Sequence, residues 1–399
     1  MNSRGFSRAI DSSLGTFETI YLDHHATTPV DSRVAKIVFD MMVSSFGNAN
    51  SVDHVFGETA ASIVTDAKGR VAALVGSDPD NVFFTSGSTE AIRLAISHAI
   101  GPVHASPLRI ALTRVEHQAL IDTAQLAERL GIAVITWIDV DHRARLISES
   151  LHAALESGTD LVCVMAANNE VGTIYPLGEI VPLVHRHDAA ILVDATQAAG
   201  RIPFDGFGAD VDYLILSGHK IYGPKGVGAL VSGAYEASRV YGLGATHDAT
   251  PNVPGIAGMG EACRIMLSEG EVETRRIVAM RDRLQKDLVR LIPNLVVNGD
   301  QENRLAHNLH ISVPDTPNDL IVSRLRKKVA ISTGAACMSG AQSSSHVLRA
   351  MGMDDGLQEG ALRIGLGRFT SESDIENAAA EIAAAVRDVR NAMAGQDYE

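Results

Sequence analysis

The chain has 399 residues, 46% hydrophobic and 21% charged, enough for a large core and too many for one small domain. A formal net charge of −14, from 34 basic and 48 acidic residues, disfavours direct nucleic-acid binding and suits a small-molecule enzyme. No apolar run reaches membrane-span length, so no membrane association is expected, and no secretory h-region follows Arg4 and Arg8.

Three cysteines, Cys163, Cys263 and Cys337, are too few and uneven for a disulfide framework and point to a reducing, cytoplasmic setting. No Cys/His spacing resembles a zinc site, so no metal is expected.

In chain order, residues 1–20 read as a flexible N-terminal extension. Tyr21–Asp23 reads as a short strand, and Asp31 is placed to cap a helix. A helix over 57–76 should end at Gly76. Strands at 82–84, 109–112, 133–138, 161–166 and 190–193 then alternate with helices at 88–100, 118–130, 148–156 and 177–187. Two further strands follow, at 213–216 and 227–231. Such alternation predicts a mostly parallel sheet covered on both faces.

The pattern changes after about residue 255. A long helix over roughly 258–291 is punctuated by Gly270 and stopped by Pro293. A strand at 307–313, a helix at 318–328, strands at 329–332 and 361–366, and an Ala-rich helix at 372–393 complete the chain. The expected division is a large domain over 21–255, whose first residues pack with the small domain, and a smaller α+β domain over 256–399. The basic run Arg324–Lys328 falls at a helix end, where positive charge complements the dipole.

Ligands of doubly wound sheets sit beyond the carboxyl ends of the strands. Five strand ends in succession deliver polar groups. Thr85-Ser-Gly-Ser-Thr-Glu90 opens a helix with a glycine turn, which forms an anion site suited to phosphate, although Ser88 would serve equally as a plain N-cap. Val115-Glu-His-Gln118, Asn168-Asn-Glu-Val-Gly172 and Asp194-Ala-Thr-Gln197 follow. Ser217-Gly-His-Lys220 then ends a buried strand and enters a Gly/Pro-rich turn. Alone, Lys220 reads as an ordinary surface lysine; among these neighbours it becomes a partly desolvated, nucleophilic amine able to form a Schiff base. A phosphate site, a carboxylate for a ring nitrogen, a histidine and a lysine are together what pyridoxal 5'-phosphate requires.

Eight stretches carry a resemblance to a known family. They are 21–29 (Tyr-Leu-Asp-His-His-Ala-Thr-Thr-Pro), 84–90, 116–118, 168–172, 193–197, 217–226 (Ser-Gly-His-Lys-Ile-Tyr-Gly-Pro-Lys-Gly), 332–337 (Ser-Thr-Gly-Ala-Ala-Cys) and 362–370 (Leu-Arg-Ile-Gly-Leu-Gly-Arg-Phe-Thr). On these the chain resembles the NifS/IscS-like cysteine desulfurases of the class V aminotransferase group. The resemblance implies the pyridoxal-phosphate-dependent transferase fold type I, an α/β fold with a mostly parallel mixed sheet plus a smaller α+β domain.

It further implies removal of sulfur from L-cysteine, giving L-alanine and a persulfide on Cys337 for a sulfur-acceptor protein. Lys220 matches the lysine that holds the cofactor, Asp194 its ring-nitrogen partner, and Gln197 and Asn169 the groups near its phenolic oxygen. Asn169 also lies close to substrate in the family. His117 matches the ring-stacking, proton-handling histidine, and Ser88, Thr89, Ser217 and His219 match the phosphate cradle. Thr250 matches a threonine that reaches the phosphate of a neighbouring subunit, which implies a homodimer. Arg363 matches the arginine that takes the substrate carboxylate.

Cys337 also stands apart from the other cysteines without the resemblance. Cys163 and Cys263 lie in apolar strand and helix patterns, whereas Cys337 sits among small polar residues that predict an exposed loop. That loop has the long form of the NifS/IscS group.

The chain departs from the family's pattern in three places. Gly242–Thr250 is shorter than usual and lacks its arginine. His24-His25 replaces a commoner pair near the pocket mouth, read either as surface histidines or as altered substrate contacts. The chain ends soon after its last helix, so the family's longer scaffold-docking tail is expected to be absent. A selenocysteine lyase or another class V aminotransferase is the nearest alternative, and an inactive partner-binding homologue is a further one.

Overall fold

The structure is a computed structural model and describes residues 19–101, 106–204, 210–233, 250–333 and 345–396. Its elements begin with β1 (Ile20–Tyr21), α1 (Ser32–Val43), α2 (Val55–Val75), β2 (Val82–Thr85), α3 (Ser88–Ile100), β3 (Leu108–Thr113), α4 (Gln118–Arg129) and β4 (Ala133–Ile138). They continue with α5 (Ser148–Glu156), β5 (Leu161–Met165), α6 (Leu177–His185), β6 (Ala190–Asp194), β7 (Tyr213–Ser217), β8 (Gly228–Val231) and α7 (Val253–Leu291). The last are β9 (Val296–Val297), β10 (Asn308–Ser312), α8 (Asn318–Leu325), β11 (Val329–Ala330), α9 (His346–Ala350), α10 (Asp355–Glu359), β12 (Ala361–Gly365) and α11 (Glu372–Gln396).

Seven strands form one sheet in the order β2-β8-β7-β6-β5-β3-β4. The pairs from β7 to β4 are all parallel. β8 runs against both of its neighbours and makes the sheet mixed. β5 and β7 are buried along their whole lengths, as expected of strands covered on both faces. On one face a core of Ile92, Ile96, Leu112, Leu120 and Ile215 packs α3 and α4 onto the strands. On the other a larger core joins α2, α5, α6 and the first half of α7.

A second group of buried side chains surrounds the antiparallel sheet β12-β10-β9. Leu284, Leu309, Ile364, Ile382 and Val389 place the second half of α7, both longer strands and α11 in one core. Leu22 belongs to this core although it lies near the N-terminus. Its segment is carried there by β1, which pairs in parallel with β11 through Ile20 and Val329. The expected boundary near residue 255 therefore falls at the start of α7, a helix that serves both cores.

Local chemistry fixes the helix ends. The Asp31 side chain accepts the amide of Arg33 at the start of α1, and Gly76 ends α2 in the left-handed conformation. Ser88, for which plain N-capping is the alternative to a phosphate site, is not the cap but the first residue of α3. The cap is Gly87, whose φ of 153° is a glycine conformation, and no side chain caps that helix. Cys163 and Cys263 are free and buried. No helix of the described residues is long and apolar enough to cross a membrane, and they contain no His/Cys/Asp/Glu group able to hold a metal.

Candidate active site

The site lies beyond the carboxyl ends of the parallel strands. β6 ends on Asp194, which is buried, and one carboxylate oxygen accepts the Thr196 amide at 2.9 Å. β7 ends on buried Ser217 and leads into the turn that carries Lys220. His117 precedes α4 after β3, and Asn169 follows β5. Asp194 and Lys220 both lie close enough to His117 to act on its charge. Burial lowers the His117 pKa, Asp194 opposes that, and Lys220 adds to it.

His117 also caps α4, because its Nδ1 accepts the Ala119 amide at 3.1 Å. The neutral ring must then carry its proton on Nε2, the nitrogen left for a ligand.

The Lys220 turn is tightly held. Lys220 Nζ donates to the carbonyl oxygens of His25 and Ala26, the latter at 3.0 Å. Its own carbonyl accepts Arg201 Nη2 at 2.9 Å. Two residues on, Tyr222 has φ of 64°, costly for a bulky side chain. Its surroundings over-determine it. The amide donates to Thr28 Oγ1 at 2.8 Å and the hydroxyl accepts the Arg368 amide at 2.7 Å. The guanidinium carbons of Arg368 and Arg201 lie 4.2 and 5.6 Å from its ring centre. Arg368 is anchored in turn by Asp31 at 2.7 Å and Glu273 at 2.6 Å.

At the start of α3 the first amides carry no side-chain cap, and Ser88 is half-buried with Thr89 exposed. The Gly87 turn lies directly on β8. A Cβ added to Gly228 would stand 2.6 Å from Leu216 O and 2.7 Å from Gly87 Cα. His219 Nδ1 contacts Thr27 Oγ1 at 3.1 Å, and burial holds this ring's pKa down to about 4. Thr250 is exposed. Cys337 and the segment 242–249 lie outside the described residues.

Arg363, on β12, is buried. Its Nη2 pairs with Asp23 Oδ1 at 3.0 Å and its Nη1 donates to Asn169 O at 3.3 Å, while Nε is buried without a partner among the described residues. Burial raises the Asp23 pKa, against the pull of Arg363.

His24 and His25 are not surface histidines: 2% and 1% of their area is exposed. Two glycines of the Leu-Arg-Ile-Gly-Leu-Gly stretch make room for them. A Cβ on Gly365 would stand 2.8 Å from His25 Cδ2, and one on Gly367 would stand 2.1 Å from His24 Cδ2. Burial holds His24 down to about 4 and His25 well below its usual value.

Several participants were not singled out by the sequence patterns. Glu116 is buried beneath His117; its Oε1 accepts Thr113 Oγ1 at 2.6 Å and the Met165 amide at 2.8 Å. Burial pushes its pKa up to about 8, and Asp194 adds to the rise. Glu170, fully buried, accepts Ser345 Oγ at 2.5 Å and so ties the start of α9 to the loop of Asn169. Asn168 shapes that loop by accepting the amides of Glu170 and Val171. Asp23 and Glu116 stood inside the quoted stretches, so position was available to find them, though not role. Arg201 and Asn308 carried no such signal.

A lysine, a carboxylate and a histidine beyond the carboxyl ends of strands in one sheet, with an arginine from a second sheet, define a group-transfer site of the aminotransferase kind. The chain belongs to the class-V aminotransferase family, whose model matches residues 20–378. It is similar to the cysteine desulfurase IscS of Anaeromyxobacter sp. (strain Fw109-5), at 39% identity over 378 residues, covering 93% of both chains. A solved structure described as a NifS-like protein superposes with a TM-score of 0.83 at 30% identity, covering 92% of this chain and 98% of that one. A structure of SspA in complex with cysteine gives 0.75 at 25% identity, covering 88% of this chain and all of the other (100%).

Proposed function

We propose that the protein is a cysteine desulfurase that uses pyridoxal 5'-phosphate, takes sulfur from L-cysteine, releases L-alanine and leaves a persulfide on Cys337. The observation that carries this reading is the convergence of Lys220, Asp194 and His117 at strand ends with Arg363 beside Asn169. The relatives named cysteine desulfurase and the cysteine-bound neighbour support it.

The residues fit the cofactor. The uncapped amides of α3, with Ser88 and Thr89, suit a phosphate, and Ser217 and His219 stand at the next strand end. Buried Asp194 suits a protonated ring nitrogen, Gln197 and Asn169 the phenolic oxygen, and Lys220 the carbonyl carbon. Bound there, pyridoxal phosphate supplies an electron sink for the charge that develops at the substrate Cα.

The chain's own groups do the rest. Arg363 holds the substrate carboxylate, and Lys220 Nζ takes the Cα proton. The Cys337 thiolate attacks the substrate sulfur. The new S–S bond forms as the carbon–sulfur bond breaks and leaves its electrons with the carbon fragment. That fragment is protonated to alanine, with His117 Nε2 as the proton-handling atom. A sulfur-acceptor protein then takes the terminal sulfur.

We take residues 21–255 as the cofactor-binding unit and 256–399 as the smaller unit that carries Arg363 and Cys337. A homodimer is the expected assembly, in a reducing, cytoplasmic setting. Phe39, Met42, Phe46, Val52, Val55 and Phe56 are exposed around α1 and the start of α2, an apolar face suited to a second copy. Thr250, which the resemblance matches to the family's cross-subunit phosphate contact, is exposed, as such a role would require.

The test is alanine and sulfide release from cysteine by the purified protein. Cys337→Ala should abolish sulfide release while the protein stays yellow, and undiminished turnover would overturn the assignment. Amino transfer to a keto acid without sulfide would favour an aminotransferase instead.

A further inference from the structure

His24 and His25 lie side by side, yet only His25 hydrogen-bonds Gln197 through its ring. His24 Nδ1 donates to Gly365 O at 2.9 Å, and its ring meets Tyr21 edge-on at 5.0 Å. His25 is held on both nitrogens, and the direction of each bond follows from what its partner is able to do.

Asn308 Nδ2 lies 2.8 Å from Glu170 O. A carbonyl oxygen only accepts, so the Asn308 atom facing it is the amide nitrogen. The same nitrogen lies 3.1 Å from His25 Nε2 and donates there, which leaves Nε2 without a proton. A neutral imidazole carries one N–H, and here it is on Nδ1. The partner of Nδ1, at 3.1 Å, is Gln197 Oε1.

The Gln197 amide is fixed a second way: its Nε2 donates to the His25 carbonyl oxygen at 3.0 Å. Its oxygen is therefore committed to the His25 ring and one amide hydrogen to the His25 backbone. The second amide hydrogen has no partner among the described residues. Stacking on His307, at 4.3 Å and 26°, holds the plane of the His25 ring. Burial and the charges of Arg363, Arg201 and Lys220 keep that ring neutral.

We propose that His25 is a positioning residue that locks the Gln197 amide so that an N–H, rather than the carbonyl oxygen, is offered to the cofactor's ring oxygen. This rests on the cofactor reading given above. A reversed amide would set its oxygen against the His25 carbonyl and leave the His25 N–H facing an NH2 group, so the wrong orientation is disfavoured at both ends. The same carbonyl also receives Lys220 Nζ, so one residue organises both the amide and the amine.

The test compares wild type, His25→Leu and His25→Asn after removal of cofactor and reconstitution with pyridoxal phosphate. The readouts are the dissociation constant, the visible absorption band at one fixed pH, and the melting point of the apo protein. An asparagine side chain can place an N–H near the position of Nδ1. The leucine variant should bind cofactor roughly tenfold more weakly, one hydrogen bond's worth, with an altered band. The asparagine variant should recover both. A leucine variant with wild-type affinity and band overturns the proposal, as does an asparagine variant as poor as leucine in a protein that melts normally.

Nitrogen-15 NMR of the histidines in wild-type apo protein supplies a measurement independent of folding defects and of cofactor binding. The His25 signals are assigned by their loss in His25→Asn. A protonated Nδ1 with a bare Nε2 supports the proposal, and the opposite tautomer overturns it. If the wild type takes up no pyridoxal phosphate, the cofactor reading fails and the tautomer alone decides whether His25 orients Gln197.

Discussion

Arg363 and Asp23 form a 3.0 Å ion pair across 340 residues of chain, the guanidinium almost wholly buried and the carboxylate mostly so. The pair aims the guanidinium beside Asn169 and leaves its Nε without a partner among the described residues. Arg363→Lys keeps the charge but loses the planar fork. We expect KM for cysteine to rise by roughly tenfold or more with a smaller change in kcat, as the loss of carboxylate binding requires. Arg363→Ala strands the Asp23 carboxylate and should cost about 3 kcal/mol in stability. Steady-state kinetics and denaturant melts check both, and an unchanged KM in the lysine variant would count against a role in holding substrate.

Gly228 admits the Gly87 turn because it has no side chain. Gly228→Ala should push that turn away from β8 and move the first amides of α3. An overpacked contact of this kind costs about 1–3 kcal/mol. The thermal midpoint should fall, and phosphate-dependent retention of the cofactor should weaken more than the melting shift alone explains. Equilibrium dialysis of the variant against pyridoxal phosphate measures this, and wild-type retention would show that the contact does not position the helix start.

Four buried histidines give the protein an acid limit. Burial holds His24 down to about 4 and His310 down to about 3, with His25 and His307 well below their usual values. In the unfolded chain each titrates near about 6.5. Between these limits the unfolded state binds more protons than the folded one. Their contribution is therefore whole above about pH 6.5 and is lost as the pH falls toward the folded values. At roughly 1.4 kcal/mol per pKa unit, His24 alone is worth on the order of 3 kcal/mol. Stability should decline steeply from neutral pH to about pH 4. A flat profile over that range would refute neutral burial of this cluster.

Glu116 works in the opposite sense. Burial raises its pKa to about 8, so the folded state holds a proton that the unfolded chain releases near its usual carboxylate value. Its contribution is present below the unfolded pKa and is lost as the pH rises through about 8. Glu116→Gln stays neutral throughout. The variant should match wild type near pH 5 and exceed it in thermal stability above about pH 8. Equal melting curves at both ends would place the charge elsewhere. The carbonyl of the same residue accepts His346 Nε2 at 2.9 Å, so the comparison also tests whether the carboxyl acts independently of that link.

Much of the large sheet was legible because its strands are apolar runs bounded by turn chemistry. α3 occupies Ser88–Ile100 and α5 Ser148–Glu156, as their periodicity predicts. Expected punctuation at Gly270 did not break α7; the missing side chain instead makes room for Gly200 O, 2.8 Å from where a Cβ would stand. That helix also starts earlier than its apolar period, at Val253, capped by Asn252. β9, α9 and α10 are too short to show a period. The fates of His24 and His25 were hidden for another reason: the glycines that admit them lie some 340 residues away. Asp194 and Lys220 could be picked out because the first closes a strand and the second lies in the turn directly after one. Asn308 opens one in another sheet, and only folding brings its amide to His25.

The pairing of Ile20 with Val329, and of Asp23 with Arg363, also sets the order in which the molecule is able to assemble. A ribosome releases the N-terminal segment first, yet its counter-ion emerges 340 residues later. Until then the strands from β2 to β8 have every neighbour they need, while Leu22, His24 and His25 have nowhere to be buried. Closing so long a loop adds only slowly to the entropic cost, so the delay is one of synthesis more than of thermodynamics. A nascent chain stopped before β12 would hold the lysine turn without the arginine, and the pocket would complete itself only once β12 has emerged.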